Sequence, residues 1–286
     1  MIQLGLIGAG ISKSSAPRLH AFLGRMYGVP VDYQRIDSNE IAGFEFTAAL
    51  TRCTDAGYRG VNVTHPYKEQ TRKKVEVPDP SVARIGAINT VIFEADGWKG
   101  FNTDFSGFAG AFRHRFGDAS PGTALIVGSG GVGKAMAFSL ARLGAKEIWL
   151  HDIERARARD LTATLRTAGI DASMIESADL ADAMRKADGL LNGTPLGMYQ
   201  HPGNAFPVAA IGGQRWVFDA VYTPLETEFL KCAKAKSIDI LSGYHLFLFQ
   251  GFDAFTIFTG VAVDAEAAMK AFPPPDALSA SPKPTG

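Results

Sequence analysis

Short apolar runs alternate along the chain with stretches whose apolar residues recur at helical spacing. The pattern predicts a strand over 3–7, a helix over 17–27 with Pro17 near its start, and a strand over 31–36. A helix over 44–56, a strand over 60–63, a helix opening at Pro66 and a hairpin around Ala95-Asp96-Gly97 follow. From residue 105 the alternation resumes: helix 105–116, a polar turn at 118–122, then the run ALIVG at 124–128. A continuous apolar run of that kind is expected of a parallel strand buried on both faces. Helix 134–143, strand 147–150, helix 155–168 and strands 189–191 and 216–219 complete the reading. Strands alternating with helices imply right-handed βαβ crossovers and therefore the α/β class with a parallel sheet.

Composition then narrows the partners. At 286 residues the chain has room for about two domains. Lys plus Arg and Asp plus Glu each number 29, so no global field favours nucleic acid. Cys53 and Cys232 stand far apart with no metal-ligand spacing, which excludes a disulfide scaffold and fits a reducing cytoplasm. No apolar run approaches the roughly 20 residues that span a bilayer, and the first residues lack a basic stretch ahead of their apolar run. The expectation is a cytoplasmic protein, monomer or homodimer, acting on a small molecule without nucleic acid or membrane. The Pro- and Ser-rich residues 271–286 read as a disordered tail.

The sharpest local signal is Gly128-Ser129-Gly130-Gly131-Val132-Gly133, between a predicted strand and a predicted helix. That is the context of a dinucleotide-binding turn. Gly128 suits the tight turn, Gly130 lets backbone approach a pyrophosphate at the helix N-terminus, and Gly133 permits close packing of helix on strand. Asp152 ends the next strand, 19 residues after Gly133, where a carboxylate can accept from both adenosine ribose hydroxyls and would repel a 2′-phosphate. It is equally placed to cap a helix. Arg155, Arg157 and Arg159 follow, either within reach of a 2′-phosphate or on a solvated helix face. The acid favours NAD over NADP. Gly8-Ala9-Gly10 has Lys13 in the place of a third glycine and reads as a decoy.

Three polar segments sit at predicted strand ends: Asn62 to Lys68, Gly86 to Thr90, and Asn102-Thr103-Asp104. Carboxyl ends of strands are where α/β sheets bind ligands, and amides and hydroxyls suit a polyhydroxylated one. A Lys and an Asp in one cleft can relay the proton that leaves an alcohol as its hydride departs, with Lys68 and Asp104 as the candidates. Composition alone makes Lys68 a surface lysine and Asp104 an N-cap.

These segments together resemble the shikimate/quinate dehydrogenase family, in the family's order, up to about residue 270. The match is carried by SSAPRLH (14–20), NVTHPYK (62–68), GAINT (86–90), NTD (102–104), GSGGVG (128–133), NGTPLGM (192–198), DAVYTPLET (219–227) and GYHLFLFQ (243–250). The resemblance implies that Lys68 and Asp104 are the catalytic pair and that Ser14 holds the substrate carboxylate. Asn62, Thr64, Asn89, Tyr222 and Gln250 would line the substrate pocket. Thr194, Ala220 and Gly243 would lie along the cofactor, with the loop residues Gly128, Gly130, Gly131 and Val132 and, from the residue reading above, Asp152 and Arg157. It implies two domains: an αβα substrate domain of residues 1–104 plus 242–270, and a Rossmann-type doubly wound parallel sheet over 105–241. The reaction implied is reversible oxidation of shikimate, quinate or both to the 3-dehydro ketone.

Two departures bear on specificity. Members usually carry Ser-x-Ser-Pro or Ser-x-Thr-Pro in the first loop, whereas this chain has Ser14-Ser15-Ala16-Pro17. Ala16 has no group to hydrogen-bond a ligand, and Ser12-Lys13-Ser14 restores the pattern only two residues out of register with Pro17. NADP-using members carry an Asn-Arg-Thr type turn after the second strand of the cofactor sheet. Here Asp152-Ile153-Glu154 resembles the NAD-preferring branch. The alternatives are a different cyclic substrate, quinate only or an amino analogue, and a nucleotide-binding sensor without turnover. His65, His114, His151, His201 and His245 lack metal-ligand spacing, so no metal is expected. His20 reads as a packing residue, the phenylalanines of 247–258 as core, and FRHRF (112–116) as a solvated helix face.

Overall fold

The computed structural model describes residues 1–272 and contains two sheets. The first has five strands: β1 (Ile2–Gly8), β2 (Val31–Asp37), β3 (Gly60–Val63), β4 (Thr90–Glu94) and β5 (Gly97–Phe101), in the order β2-β1-β3-β4-β5. Its first three strands are parallel, while β4 and β5 form the expected antiparallel hairpin. Helices α1 (Ala16–Met26), α2 (Phe46–Asp55), α3 (Lys68–Arg72) and α4 (Pro80–Ile85) lie in its connections. Helix α2 starts two residues later than the apolar pattern suggests because Glu45 caps it, accepting from the N–H groups of Thr47 and Ala48. Helix α3 starts at Lys68 rather than Pro66, since Thr64 to Tyr67 form a turn closed by Tyr67 N–H donating to the Thr64 carbonyl.

Helix α5 (Thr103–Phe116) leads into the second sheet, and Asn102, not Asp104, is its N-cap, accepting from Phe105 N–H at 3.0 Å. The elements that follow are β6 (Thr123–Val127), α6 (Gly131–Arg142), β7 (Glu147–His151), α7 (Arg155–Thr167), β8 (Ala172–Met174), α8 (Leu180–Lys186), β9 (Gly189–Asn192), β10 (Trp216–Asp219), α9 (Glu228–Ala235) and β11 (Asp239–Ser242). All six strands are parallel, in the order β11-β10-β9-β6-β7-β8. Read from the other edge, this is the third, second, first, fourth, fifth and sixth strand, the doubly wound order of dinucleotide-binding sheets. The order reverses between β6 and β9, so a crevice opens there at the strands' carboxyl ends. Strands β6, β9 and β10 are buried along their whole length, as strands covered by helices on both faces must be.

The chain then returns. Helix α10 (Gly243–Thr259) packs along α5 so closely that a Cβ at Gly107 would lie 2.5 Å from the Gln250 nitrogen. Its far end reaches the first sheet, where Phe258 packs with Leu4, Leu6 and Tyr33. On the other side α5 lays Phe108 edge-on against Phe218 at 4.9 Å and Phe112 against Trp216 at 5.1 Å, joining the helix pair to β10. The FRHRF stretch is thus only half solvated: Phe112 is core, while Arg113 to Arg115 face outward. Helix α11 (Ala265–Ala271) is the last element among the described residues, and Phe272 is buried against Phe22 and under the Arg18 guanidinium. Ala271 and Phe272, the first two residues of the segment read as tail, therefore belong to α11 and to the core. Residues 273–286 lie outside the described residues.

Candidate active site

A cavity of about 680 Å³ lies at the carboxyl ends of both sheets. The turn after β3 contributes Thr64, His65 and Lys68, and the segment before β4 contributes Asn89. The first turn of α5 brings Asp104, whose Oδ2 lies 2.6 Å from Lys68 Nζ. Both side chains are mostly buried, Lys68 at 20% and Asp104 at 13% exposure. Lys68 is therefore no surface lysine and Asp104 no helix cap. Ile88 N–H donates to the Lys68 carbonyl at 2.9 Å, which fixes the lysine backbone to the segment carrying Asn89.

The amides beside the pair form a connected network. Asn89 Oδ1 accepts from Thr103 N–H at 2.7 Å and from the hydroxyls of Thr90 and Thr103. Its Oδ1 is thus occupied, and Nδ2 is the end it has for a ligand. Asn62 lines the cavity with both ends in use: Nδ2 donates to Thr90 Oγ1 and the Asn89 carbonyl, and Oδ1 accepts from Tyr33 at 2.8 Å. Gln250 completes the wall from α10, 3.5 Å from Thr103 Oγ1 and anchored through Nε2 to the Phe247 carbonyl. Tyr222 also lines it, stacked on Phe247 with centroids 5.4 Å apart, and burial pushes its phenol pKa up. Ser14 stands at the other side, its Oγ accepting from Ala16 N–H at 3.3 Å.

The structure thus brings Lys68, Asp104, Ser14, Asn62, Thr64 and Asn89 into one cavity with Tyr222 and Gln250. Val132, Ala220 and Gly243 line the same space, and a Cβ at Gly243 would lie 2.4 Å from the Ala220 carbonyl oxygen. Of the remaining candidates, Gly128, Gly130 and Gly131 follow β6, Thr194 follows β9, and Asp152 and Arg157 follow β7. Gly128, with φ +99°, turns the chain out of β6 against Gly193 and Thr194. A Cβ at Gly133 would lie 1.9 Å from the Gly128 carbonyl oxygen, so helix and strand pack as the motif requires. A Cβ at Gly130 or Gly131, by contrast, would meet nothing within 4 Å. Thr194 is held by Asn192, whose Oδ1 accepts from its N–H and hydroxyl, and Asn192 in turn donates to Asp219. Asp219 is fully buried; desolvation raises its pKa to about 6 against donors from Thr227, Val221 and Asn192.

Whether these residues fit a dinucleotide is answered by the loop itself. Gly130 stands at the N-cap of α6 with no side chain capping the helix, the Ser129 hydroxyl is buried without a partner, and the space over Gly130 and Gly131 is open. Unsatisfied N–H groups at a helix N-terminus, beside an unpartnered hydroxyl and an open cradle, suit a pyrophosphate. Asp152 does not cap α7. Its Oδ2 accepts from Ser129 N–H at 2.7 Å and its Oδ1 from Glu154 N–H at 2.8 Å, so the carboxylate is held against the glycine loop. Arg157 pairs with Glu154 at 2.8 Å, Arg155 with Glu176 and Arg159 with Asp160, which makes the arginines a solvated, ion-paired face.

The Gly8-Ala9-Gly10 turn holds no phosphate cradle. Asp37 takes its amides, accepting from Gly10 at 2.9 Å and Ile11 at 2.7 Å. Burial raises the Asp37 pKa, but the N–H donors of Asn39, Gly10, Ile11 and Ser12 outweigh it and hold it below the ordinary carboxylate value. Residue reading missed Asp37, Tyr33 and the cavity face of Phe247. For Phe247 a signal existed, since it precedes Gln250 by three residues and shares its helix face. His20 packs as expected, stacked on Tyr33 at 4.6 Å, and burial lowers its pKa to about 3. Among the described residues no group of three or more His, Cys, Asp or Glu side chains is placed to hold a metal, and no helix is long and apolar enough to cross a membrane.

Comparisons with known proteins point to one family. Residues 6–91 match the family model described as the shikimate dehydrogenase substrate binding domain. The quinate/shikimate dehydrogenase (NAD(+)) of Corynebacterium efficiens is 38% identical over 93% of this chain and 95% of its own. The shikimate dehydrogenase (NADP(+)) of Pseudarthrobacter chlorophenolicus is 37% identical over 92% of this chain and 91% of its own. Among solved structures, quinate dehydrogenase from Corynebacterium glutamicum in complex with NAD superposes with a TM-score of 0.88 at 34% identity. That superposition covers 94% of this chain and 97% of that one.

Proposed function

The chain belongs to the shikimate/quinate dehydrogenase family, and from that premise we propose that it interconverts shikimate, quinate or both with the 3-dehydro ketone, using NAD. The observation that carries the reading is the Lys68–Asp104 contact of 2.6 Å inside the cavity. Oxidising a ring alcohol requires a group to receive the hydroxyl proton while the carbon gives up hydride. We assign that proton to Lys68 Nζ, with Asp104 holding the amine in place and stabilising its charged form. In the reverse direction Nζ returns the proton to the ketone oxygen. NAD, when bound, supplies the ring that accepts or donates the hydride.

The other residues bind and orient. Asn89 Nδ2, the Thr64 hydroxyl and Gln250 face a ring hydroxyl array, and Asn62 with Tyr33 keeps Asn89 and Thr90 in register. Ser14 and Tyr222 are the polar groups for the acid end. Residues 1–104 with 242–270 would hold the substrate and 105–241 the cofactor. The preference for NAD over NADP rests on the Asp152 carboxylate, held against the glycine loop just after β7, with Ile153, exposed and apolar, beside it. The NAD(+)-named relatives support it, although relatives named for NADP(+) are similar to this chain as well. The test follows NADH formation with shikimate and with quinate, each with NAD and with NADP. Turnover of neither acid overturns the reading, and a higher kcat/KM with NADP overturns the cofactor assignment.

A further inference from the structure

The cavity's charge balance leaves one group without a task. Its lining residues with formal charge are Lys68, Asp104 and Lys13. Lys68 and Asp104 are committed to one another at 2.6 Å. Lys13 has no ion-pair partner among the described residues. A carboxylate substrate entering this space loses part of its hydration and gains from a counter-charge that the catalytic pair, engaged with itself, does not offer. Ala16 adds no hydroxyl, so the neutral donors on this side are Ser12 and Ser14.

The turn that carries Lys13 is firmly held. Asp37 accepts from the N–H groups of Gly10 and Ile11, the Arg35 guanidinium donates to the Ser12 carbonyl, and Ser14 N–H donates to the Ile11 carbonyl at 2.9 Å. The backbone amides of Gly10, Ile11 and Ser14 are therefore engaged, and what the turn offers a ligand is its side chains. A flexible ammonium on a fixed base at the cavity mouth is suited to draw in and pair an anion.

We propose that Lys13 is a specificity-determining residue that pairs with the substrate carboxylate and supplies the interaction that residue 16 cannot. The inference rests on the dehydrogenase reading above. The test compares KM for the acid that turns over and for its methyl ester in the wild type, Lys13→Met and Lys13→Arg. Lys13→Met should raise KM for the acid by roughly fivefold to tenfold, as for a partly exposed charge-assisted contact, and leave KM for the ester within twofold. The loss falls in KM rather than kcat, and Lys13→Arg restores most of it. KM for the acid should rise with salt in the wild type and much less in Lys13→Met. Equal effects on acid and ester, a shift in KM for NAD instead, or no change at all would overturn the proposal. Wild-type enzyme inert toward both acids would instead overturn the dehydrogenase reading.

Discussion

The two sheets present different materials at their carboxyl ends. The mixed sheet offers side chains: Lys68, Asn89 and Thr64 from its own strand ends, with Asp104 following β5. The parallel sheet offers mainly backbone and empty space, with N–H groups at the start of α6 and glycines over which a Cβ meets nothing. A side-chain site is fixed by hydrogen bonds among its members, as in the network through Asn62, Thr90, Asn89 and Thr103. A backbone site is fixed by how closely helix and strand approach, as at Gly133 over Gly128. Damage to the first should therefore appear in chemistry, and damage to the second in cofactor binding or folding.

The largest expected effect tests the first half of that contrast. Lys68→Ala should lower kcat by about 10²- to 10⁴-fold, the range for losing a positioned proton-transfer group, with KM for NAD nearly unchanged. Stopped-flow or steady-state NADH formation reads it directly. Near-wild-type kcat would remove Lys68 from the mechanism. Next comes a pair of glycine substitutions in the parallel half. Gly133→Val drives atoms into the Gly128 carbonyl and should cost several kcal/mol of stability, seen as a fall in Tm. Gly130→Ala adds a methyl to open space, so Tm should hold while KM for NAD rises roughly tenfold. Equal Tm losses in both would mean that Gly130 serves packing rather than ligand.

The contrast also explains what could be read from residues alone. The parallel strands ALIVG and WVFD announce themselves because burial on both faces demands unbroken apolar runs. Strands β8 and β11 carry no such run, for they are the sheet's two edges, short and half exposed, with Ser173 and Asp239 among their residues. The glycine loop was legible since its chemistry is local, although α6 begins three residues before the apolar pattern does, at glycines with little helix propensity. In the mixed half, the Lys68–Asp104 pairing spans 36 residues and no local pattern encodes it, so composition alone puts Lys68 on the surface. The motif series supplied what spacing could not. Tyr33 escaped both, because it enters the site by donating to Asn62 across the sheet, a pairing 29 residues apart that no local pattern encodes.

A smaller effect sharpens the cofactor half. Asp152→Ala removes the carboxylate that bridges Ser129 and Glu154 N–H groups. The kcat/KM with NAD should fall about tenfold, as for loss of a charge-assisted pair of hydrogen bonds, while that with NADP falls less or rises. Parallel losses with both cofactors would mean that Asp152 only holds the loop.

The smallest effect sets the two halves against each other in acid. His20, in the mixed half, has its pKa lowered from 6.5 to about 3 by burial. A depressed histidine stabilises the fold above its unfolded pKa, and that stability is lost as pH falls, because the unfolded chain binds the proton first. Between pH 7 and 5 the loss is on the order of 2 kcal/mol. Asp219, in the parallel half, has its pKa raised from 3.8 to about 6, mainly by desolvation. A raised carboxyl contributes stability that is fully present below the unfolded pKa and lost as pH rises through about 6, so the same acidification returns about 1 kcal/mol. Denaturant unfolding at pH 5 and 7 separates them. His20→Phe should lose less stability on acidification than the wild type, and Asp219→Asn should lose more. Equal pH slopes in the two variants would show that neither buried group governs the acid response of its sheet.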